Sequence, residues 1–416
     1  MFIDRRLKRI IAIALVAVAM WIGLNIATRP GHINILVGKQ ATLNLNSIWA
    51  NTLASFSPSD LEISIEQNRQ VKLLSGKVGS YKMACSLLGF KIREWTVNAL
   101  PSTYVYPGGE LIGVKISSKG IIAYNYENID GTILSPARKA NIRLGDVIQK
   151  VNGVSADNAD DFIELVNQAC NSGGFVKLTV LRNGNLIDAL VVPEFSERNQ
   201  CYQIGLNVKE SIAGIGTLTY VTADKSYFGA LGHAIAETTT GTTVPIGSGM
   251  LNGAQIVSLL KGEKNEPGAI HGLILKQAIF GQVIANNEFG IFGSYNGGLF
   301  NNAKEPVAVA LQNEVKEGPA TILTTIDGEE PKEYEILITR LHRQSAPNTK
   351  SMTIEVTDPE LLSKTGGIIQ GMSGSPILQN GKIIGAVTHV LVNDPKSGYG
   401  VYIEWMLQNN MHLIYN

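Results

Sequence analysis

A serine in a glycine-flanked turn, Gly371-Met372-Ser373-Gly374-Ser375-Pro376, is the residue best placed to do chemistry in this chain. Attack on a carbonyl would require a group that takes its proton and donors that stabilise the resulting oxyanion. The glycines address the second need, because they let the backbone turn tightly enough for successive N–H groups to converge beside the hydroxyl. Seen alone, the hexapeptide is equally a plain tight turn. A base elsewhere must decide between the two readings. Of the six histidines, His233 has the most suggestive setting, Gly229-Ala230-Leu231-Gly232-His233-Ala234, a small-residue turn between apolar flanks.

The order of these residues matters. In trypsin-like double barrels the base histidine comes first, on one barrel, and the serine later, on the other, inside Gly-Asp-Ser-Gly-Gly-Pro. The run at 371–376 is similar, with Met372 and Ser375 as the departures, and His233 precedes Ser373. In α/β-hydrolases the histidine follows the serine. His389 lies on a segment that in similar barrels walls the substrate pocket. It is read either as a contact to the residue before the scissile bond or as a core histidine bonded to a carbonyl.

The elements that must hold these groups are mainly β. Short alternating segments at 216–221, 270–275, 307–311, 320–326, 334–339, 351–356, 382–390 and 399–402 suit a double β-barrel over residues 195–416. Residues 31–99 read as a small β-rich domain with no visible chemistry. Over 100–194 a glycine-led strand, a Ser135-Pro136 helix start, Leu144-Gly145-Asp146-Val147-Ile148 with Val151-Asn152-Gly153, and an amphipathic helix at 160–170 resemble a PDZ domain of exported bacterial proteases. In such domains a loop matching Leu111-Ile112-Gly113-Val114 offers amides to a peptide carboxylate and the next strand edge accepts the peptide. A leucine stands where many PDZ domains have glycine, so internal-peptide or domain–domain binding is the alternative. A PDZ fold that only positions its neighbour is a third.

Composition narrows the classes. Lys plus Arg and Asp plus Glu are both 35, so no basic excess exists to displace phosphate counterions and no nucleic acid partner is expected. No Cys or His cluster has metal-ligand spacing, so no metal and no cofactor is expected. Three cysteines, Cys85, Cys170 and Cys201, make no complete disulfide framework, although a bridge between the last two is open. Arg5, Arg6, Lys8 and Arg9 precede an uncharged run at 10–27, long enough to span a bilayer core with the basic flank in the cytoplasm. Residues 1–30 are therefore read as a cytoplasmic tail and membrane anchor. A signal peptide cleaved near Ala17-Val18-Ala19 is the competing reading, and either exports the rest.

Ala230-Leu231-Gly232-His233, the stretch from Thr357-Asp358-Pro359 through Gly366-Gly367-Ile368 to the serine turn, and Gly385-Ala386-Val387-Thr388-His389 together resemble the SpoIVB peptidase family. The resemblance implies an N-terminal membrane helix, a small β domain, a PDZ domain and a trypsin-like double β-barrel peptidase domain. It implies a self-processing serine endopeptidase of endospore formers, anchored to the forespore-side membrane and facing the intermembrane space. Its implied partners are itself and a membrane-embedded inhibitor of an intramembrane protease complex, whose cleavage releases late sigma-factor processing.

Carried over, Ser373 is the nucleophile, His233 the base, and the Gly371 and Ser373 amides the oxyanion donors. Activity should then fall as pH drops through the histidine pKa, about 6.5 unperturbed. Asp358 matches the family's proposed acid, yet Thr357-Asp358-Pro359-Glu360 is also a helix start with Asp as N-cap and Pro in the first turn. Its gap of 15 residues to the serine is far shorter than in trypsin-like enzymes, which leaves a Ser–His dyad open. A non-catalytic anchored scaffold that binds peptides is the alternative function, and a degradative protease of broad range a third.

Overall fold

The computed structural model describes residues 32–415 except 45–52, 56–60, 66–69, 88–89, 101, 172–173, 238–240, 299–304, 329 and 345. The expected membrane span at 10–27 lies outside them. Among the described residues no helix is long and apolar enough to cross a membrane.

The first seven strands are β1 (His32–Leu36), β2 (Ala41–Asn44), β3 (Leu53–Ser55), β4 (Leu61–Ile65), β5 (Gln70–Ser75), β6 (Gly79–Leu87) and β7 (Phe90–Leu100). They form two sheets, in the orders β1-β7-β6-β3 and β2-β5-β4, with β1 parallel to β7. Alternation puts Ile35, Val71, Leu73, Met83, Trp95 and Val97 into a shared core. Fully burying each such side chain stabilises the fold by about 1.5–3 kcal/mol relative to exposure.

Next come β8 (Tyr104–Pro107) and β9 (Leu111–Tyr126), a long strand that serves two units. Its second half pairs with β10 (Val147–Val151) on one edge and with the start of β16 (Leu206–Thr222) on the other. With α1 (Pro136–Lys139), β11 (Val154–Ser155), α2 (Ala159–Asn171), β12 (Val176–Arg182) and β13 (Asn185–Val191), this builds the PDZ unit. The apolar face of α2, formed by Phe162, Val166, Ala169 and Cys170, closes on Ile121, Ile148, Leu178 and Val180. Asp160 and Asp161 in the first turn of α2 complement its dipole. A short hairpin, β14 (Glu194–Ser196) and β15 (Cys201–Gln203), leads out. Cys170 is buried and Cys201 exposed, and both are free, so the open disulfide reading falls away.

The first half of β9 belongs elsewhere. Leu111–Thr217, Ile112–Gly216, Gly113–Ile215 and Val114–Gly214 are pairs with β16, while Ile112, Gly113 and Val114 pair on the other edge with β18 (Ser248–Leu260). With β17 (Tyr227–Ala230), β19 (Ala269–Asn287) and β20 (Gly290–Tyr295), the order β16-β9-β18-β19-β20-β17 returns to β16 and closes a first barrel. Ile112, Val114, Leu218, Phe228, Leu231 and Ile291 fill it. The PDZ unit is therefore an insertion between two strands of this barrel, carried on the β9/β16 ladder. The expected PDZ boundary at 100 is too early, because the strand at 111–117 reads equally well as a PDZ strand until its pairing is known.

A second barrel closes in the order β22 (Gly318–Thr324), β23 (Lys332–Leu341), β24 (Met352–Val356), β27 (Asp394–Tyr402), β26 (Lys382–Leu391), β25 (Pro376–Gln379) and back to β22. Ile322, Ile336, Ile354, Ile377, Val387 and Val401 fill its interior. The strand β21 (Val307–Val309) pairs with both β8 and β26 and so ties the barrels together. Two helices complete the unit, α3 (Pro359–Thr365) before the serine turn and α4 (Ile403–Tyr415) at the end.

Candidate active site

His233 leaves the first barrel directly after β17. Leu231 at φ 70° and Gly232 at φ 69° form a left-handed pair that swings the chain out of the strand. Asn286 of β19 then brackets the chain two residues beyond the histidine: its Oδ1 accepts from Ile235 N at 2.7 Å and its Nδ2 donates to Ile235 O at 2.8 Å. The imidazole Nδ1 lies 2.9 Å from Ala234 O. A carbonyl can only accept, so this bond places the proton on Nδ1 and leaves Nε2 with its lone pair. Burial holds the ring's pKa below 6.5, against the raising effect of the Ala234 bond. A neutral imidazole with a free Nε2 is the form a general base needs.

Ser373 comes from the second barrel, on the turn between α3 and β25. The turn docks against the first barrel at Gly374, where φ is +96° and a Cβ would stand 2.1 Å from Thr217 O and 2.5 Å from Leu231 N. Only glycine allows so close an approach. The hydroxyl of Ser373 donates to Thr388 O at 2.8 Å. Ser375, one of the two departures, is fully buried; its N–H and Oγ both donate to Met372 O, at 3.0 and 2.7 Å, closing the turn. Met372, the other, is fully buried in the second barrel's core.

Two amides on the turn are spare. Among the described residues, neither the Gly371 N–H nor the Ser373 N–H finds a protein acceptor, whereas Met372 N bonds Ile369 O at 3.1 Å and Gly374 N bonds Val387 O at 2.7 Å. Unpaired amides on a half-buried serine and on the residue two before it can receive an oxyanion.

His389 sits on β26, next to the carbonyl that holds Ser373, with its ring centroid 5.1 Å from that of His233. The residue is exposed overall, yet partial burial first, then the nearby His233 and Lys350, lower its pKa to about 4. The structure thus places His389 beside His233, and the Ser373 hydroxyl on the carbonyl of the residue before His389.

Two expectations are corrected. Asp358 is the N-cap of α3: Oδ1 accepts from Leu361 N at 2.9 Å and Oδ2 from Glu335 N at 3.3 Å. The Nδ1 side of His233, where an orienting acid would bind, is taken by the Ala234 carbonyl. Of the two jobs open to Asp358, the helix start prevails because its carboxylate is already committed to backbone donors. The second correction concerns Leu111, Ile112, Gly113 and Val114, which cannot accept a peptide strand. Ile112 to Val114 are paired on both edges, Leu111, Ile112 and Val114 are buried, and a Cβ on Gly113 would stand 2.6 Å from Ile274. The strand edge facing α2 is instead the start of β16. Leu206 and Val208 pack on the PDZ core there, after Ile204 and a left-handed Gly205 at φ 62°. Ile204-Gly205-Leu206 carries the same apolar-Gly-apolar signal as the discarded stretch and was the findable alternative.

Sequence reasoning also missed Thr217, Thr219 and Asn286, all of which hold the site. Buried hydroxyls alternating along an apolar strand, Thr217-Leu218-Thr219, were the available signal for the first two. Asn286 had none.

Residues 200–407, half of the chain, match the sequence model of the family described as SpoIVB peptidase S55, and residues 125–192 match that of the PDZ domain. A putative zinc metalloprotease of Clostridium acetobutylicum is 36% identical over 75 residues, which are 18% of this chain and 22% of that protein's length. Among solved structures, the HtrA-type protease AlgW with a decapeptide aligns at TM-score 0.30 and 11% identity, over 50% of this chain and 54% of its own. The Rv3671c protease of M. tuberculosis in its active form aligns at TM-score 0.30 and 15% identity, over 49% of this chain and 75% of its own.

Proposed function

Because the chain belongs to the SpoIVB peptidase family and is by that membership a serine endopeptidase, we propose that Ser373 and His233 are its catalytic pair, working as a dyad whose histidine is oriented by a backbone carbonyl. When a peptide enters the cleft, Ser373 Oγ leaves Thr388 O and attacks the scissile carbonyl. Its proton passes to His233 Nε2 and from there to the leaving amine. Water, deprotonated by the same nitrogen, then releases the acyl group and restores the hydroxyl. The Gly371 and Ser373 amides take the negative oxygen of each tetrahedral intermediate, and one such donor typically supplies about 3 kcal/mol. What supports this reading is a serine turn that keeps two amides spare, with its hydroxyl on the Thr388 carbonyl, and a His233 whose Nδ1 is held by a carbonyl and whose ring lies 5.1 Å from that of the adjoining His389.

The wider role is proposed on the family membership. The chain is anchored by residues 10–27 with its bulk outside the cytoplasm, on the forespore-side membrane facing the intermembrane space. It cleaves itself, and then a membrane-embedded inhibitor of an intramembrane protease complex, so that late sigma-factor processing begins. The PDZ unit selects the substrate by adding a peptide strand between α2 and residues 206–209 of β16. That edge pairs with β9 on one side, and among the described residues no strand pairs with it on the other. His389 lines the cleft beside the residue that precedes the scissile bond.

Self-processing provides the test. The full-length chain incubated in membranes should shorten with time, while Ser373→Ala and His233→Ala chains stay full length. Processing of the Ser373→Ala chain at the wild-type rate would reject the assignment.

A further inference from the structure

The two spare amides belong to a serine turn in which four successive peptide units are pinned by hydrogen bonds. In the unit joining residues 370 and 371, Gln370 O accepts from Ile270 N at 2.8 Å. In the unit joining 371 and 372, Gly371 O accepts from the Thr217 hydroxyl at 2.8 Å and Met372 N donates to Ile369 O. In the third unit, Met372 O takes both donors of Ser375. In the fourth, Ser373 O accepts from Thr217 N at 2.9 Å and Gly374 N donates to Val387 O. One residue therefore supplies two of these anchors, one through its backbone and one through its side chain.

Thr217 lies on β16 of the first barrel, is 1% exposed, and faces across the barrel interface while its neighbour Leu218 fills the barrel. Thr219 repeats the pattern, with its hydroxyl donating to Gly374 O at 2.8 Å. An apolar β-branched residue would fill the same space. A buried hydroxyl carries a desolvation cost that only its bond to the turn offsets. That bond matters most at Gly371, whose φ of +101° and missing side chain leave its carbonyl free to swing if nothing holds it.

We propose that Thr217 is a positioning residue for the peptidase reaction. Its hydroxyl fixes the Gly371 carbonyl so that the Gly371 and Ser373 amides converge on the substrate oxygen. This inference rests on Ser373 being the nucleophile. The specificity of the device lies in the side chain, since the Thr217 amide bond to Ser373 O survives any substitution except proline.

Full-length wild-type, Thr217→Val, Thr217→Ser and Ser373→Ala chains would be treated with a fluorophosphonate probe over a range of concentrations, with thermal unfolding followed in parallel. Thr217→Val should lower the maximal labelling rate by about tenfold or more while the concentration for half-maximal rate stays within about twofold, because the donors act on the transition state. Thr217→Ser, which keeps the hydroxyl, should recover to within about threefold. A Thr217→Val chain that labels like wild type would overturn the proposal. So would a loss that tracks a lowered unfolding temperature and is not recovered by serine, since that is packing alone. Undiminished labelling of Ser373→Ala would instead remove the nucleophile assignment on which the inference stands.

Discussion

Replacing Gly374 by alanine tests the docking of the serine turn on the first barrel. The new methyl would stand 2.1 Å from Thr217 O and 2.5 Å from Leu231 N, and side-chain carbons essentially never come closer than 3.0 Å to such atoms. Both neighbours are backbone, so the turn itself must retreat by about 1 Å, and a displacement of that size at reacting groups costs about a hundredfold in rate. The unfavourable φ of +96° adds about 1–3 kcal/mol of strain. Gly381→Ala is the matched control: it also has positive φ, +73°, but nothing lies within 4 Å of the added carbon. We expect Gly381→Ala to lose some stability and label with fluorophosphonate at nearly the wild-type rate. Gly374→Ala should lose stability and, while still folded by circular dichroism, label about a hundredfold more slowly. Labelling of folded Gly374→Ala within about threefold of wild type would refute the reasoning, because the barrels would not then need close apposition at this point.

Burial lowers the His233 pKa, and the neutral ring is the active form, so the acid limb of kcat/KM against pH should have its midpoint below 6.5. A midpoint at or above 6.5 would contradict the burial. The same shift makes the unfolded chain the better proton binder, so stability should decline as pH falls from about 6.5 toward the folded value. At Asp358, a helix cap and an orienting acid respond differently to asparagine. Asp358→Asn keeps the cap bond from Leu361 N and loses only the longer one from Glu335 N, so it should keep turnover and most of the stability, whereas Asp358→Ala should lose about 1 kcal/mol in denaturant unfolding. A collapse of turnover by orders of magnitude in folded Asp358→Asn would return the residue to the active site. Glu404 is 3% exposed, and burial pushes its pKa up to about 7. An acid raised in this way leaves stability intact below its unfolded pKa and erodes it as pH rises to about 7. Glu404→Gln should therefore raise the melting temperature at pH 8 and leave it unchanged near pH 4, and an equal effect at both would exclude the ionisation.

What could be read from the sequence was local. The serine turn, the small-residue turn before His233 and the Asp146-Val147-Ile148 segment declare themselves because glycine, proline and apolar spacing act over a few residues. Strand pairing does not. Leu111-Ile112-Gly113-Val114 alternates and follows glycines whether it belongs to a PDZ unit or a barrel, and only its partners on β16 and β18 decide. In the strand at 248–260, Gly249, Asn252 and Gly253 interrupt the alternation that would announce it, yet the two glycines are what allow close packing against Val283 and Phe280 of β19. Asp358 shows the limit for chemistry. Its sequence context is the same for a cap and for a catalytic acid, and the choice depends on which donors lie within hydrogen-bonding distance.

The most direct test of the central claim is the mass of the peptide containing residue 373 after the full-length protein is exposed to a fluorophosphonate at neutral pH. A neutral imidazole able to deprotonate this one hydroxyl predicts a single phosphonyl adduct on Ser373, absent from the His233→Ala chain. An unmodified Ser373 in folded protein, or an adduct that forms equally well without the imidazole, would contradict it.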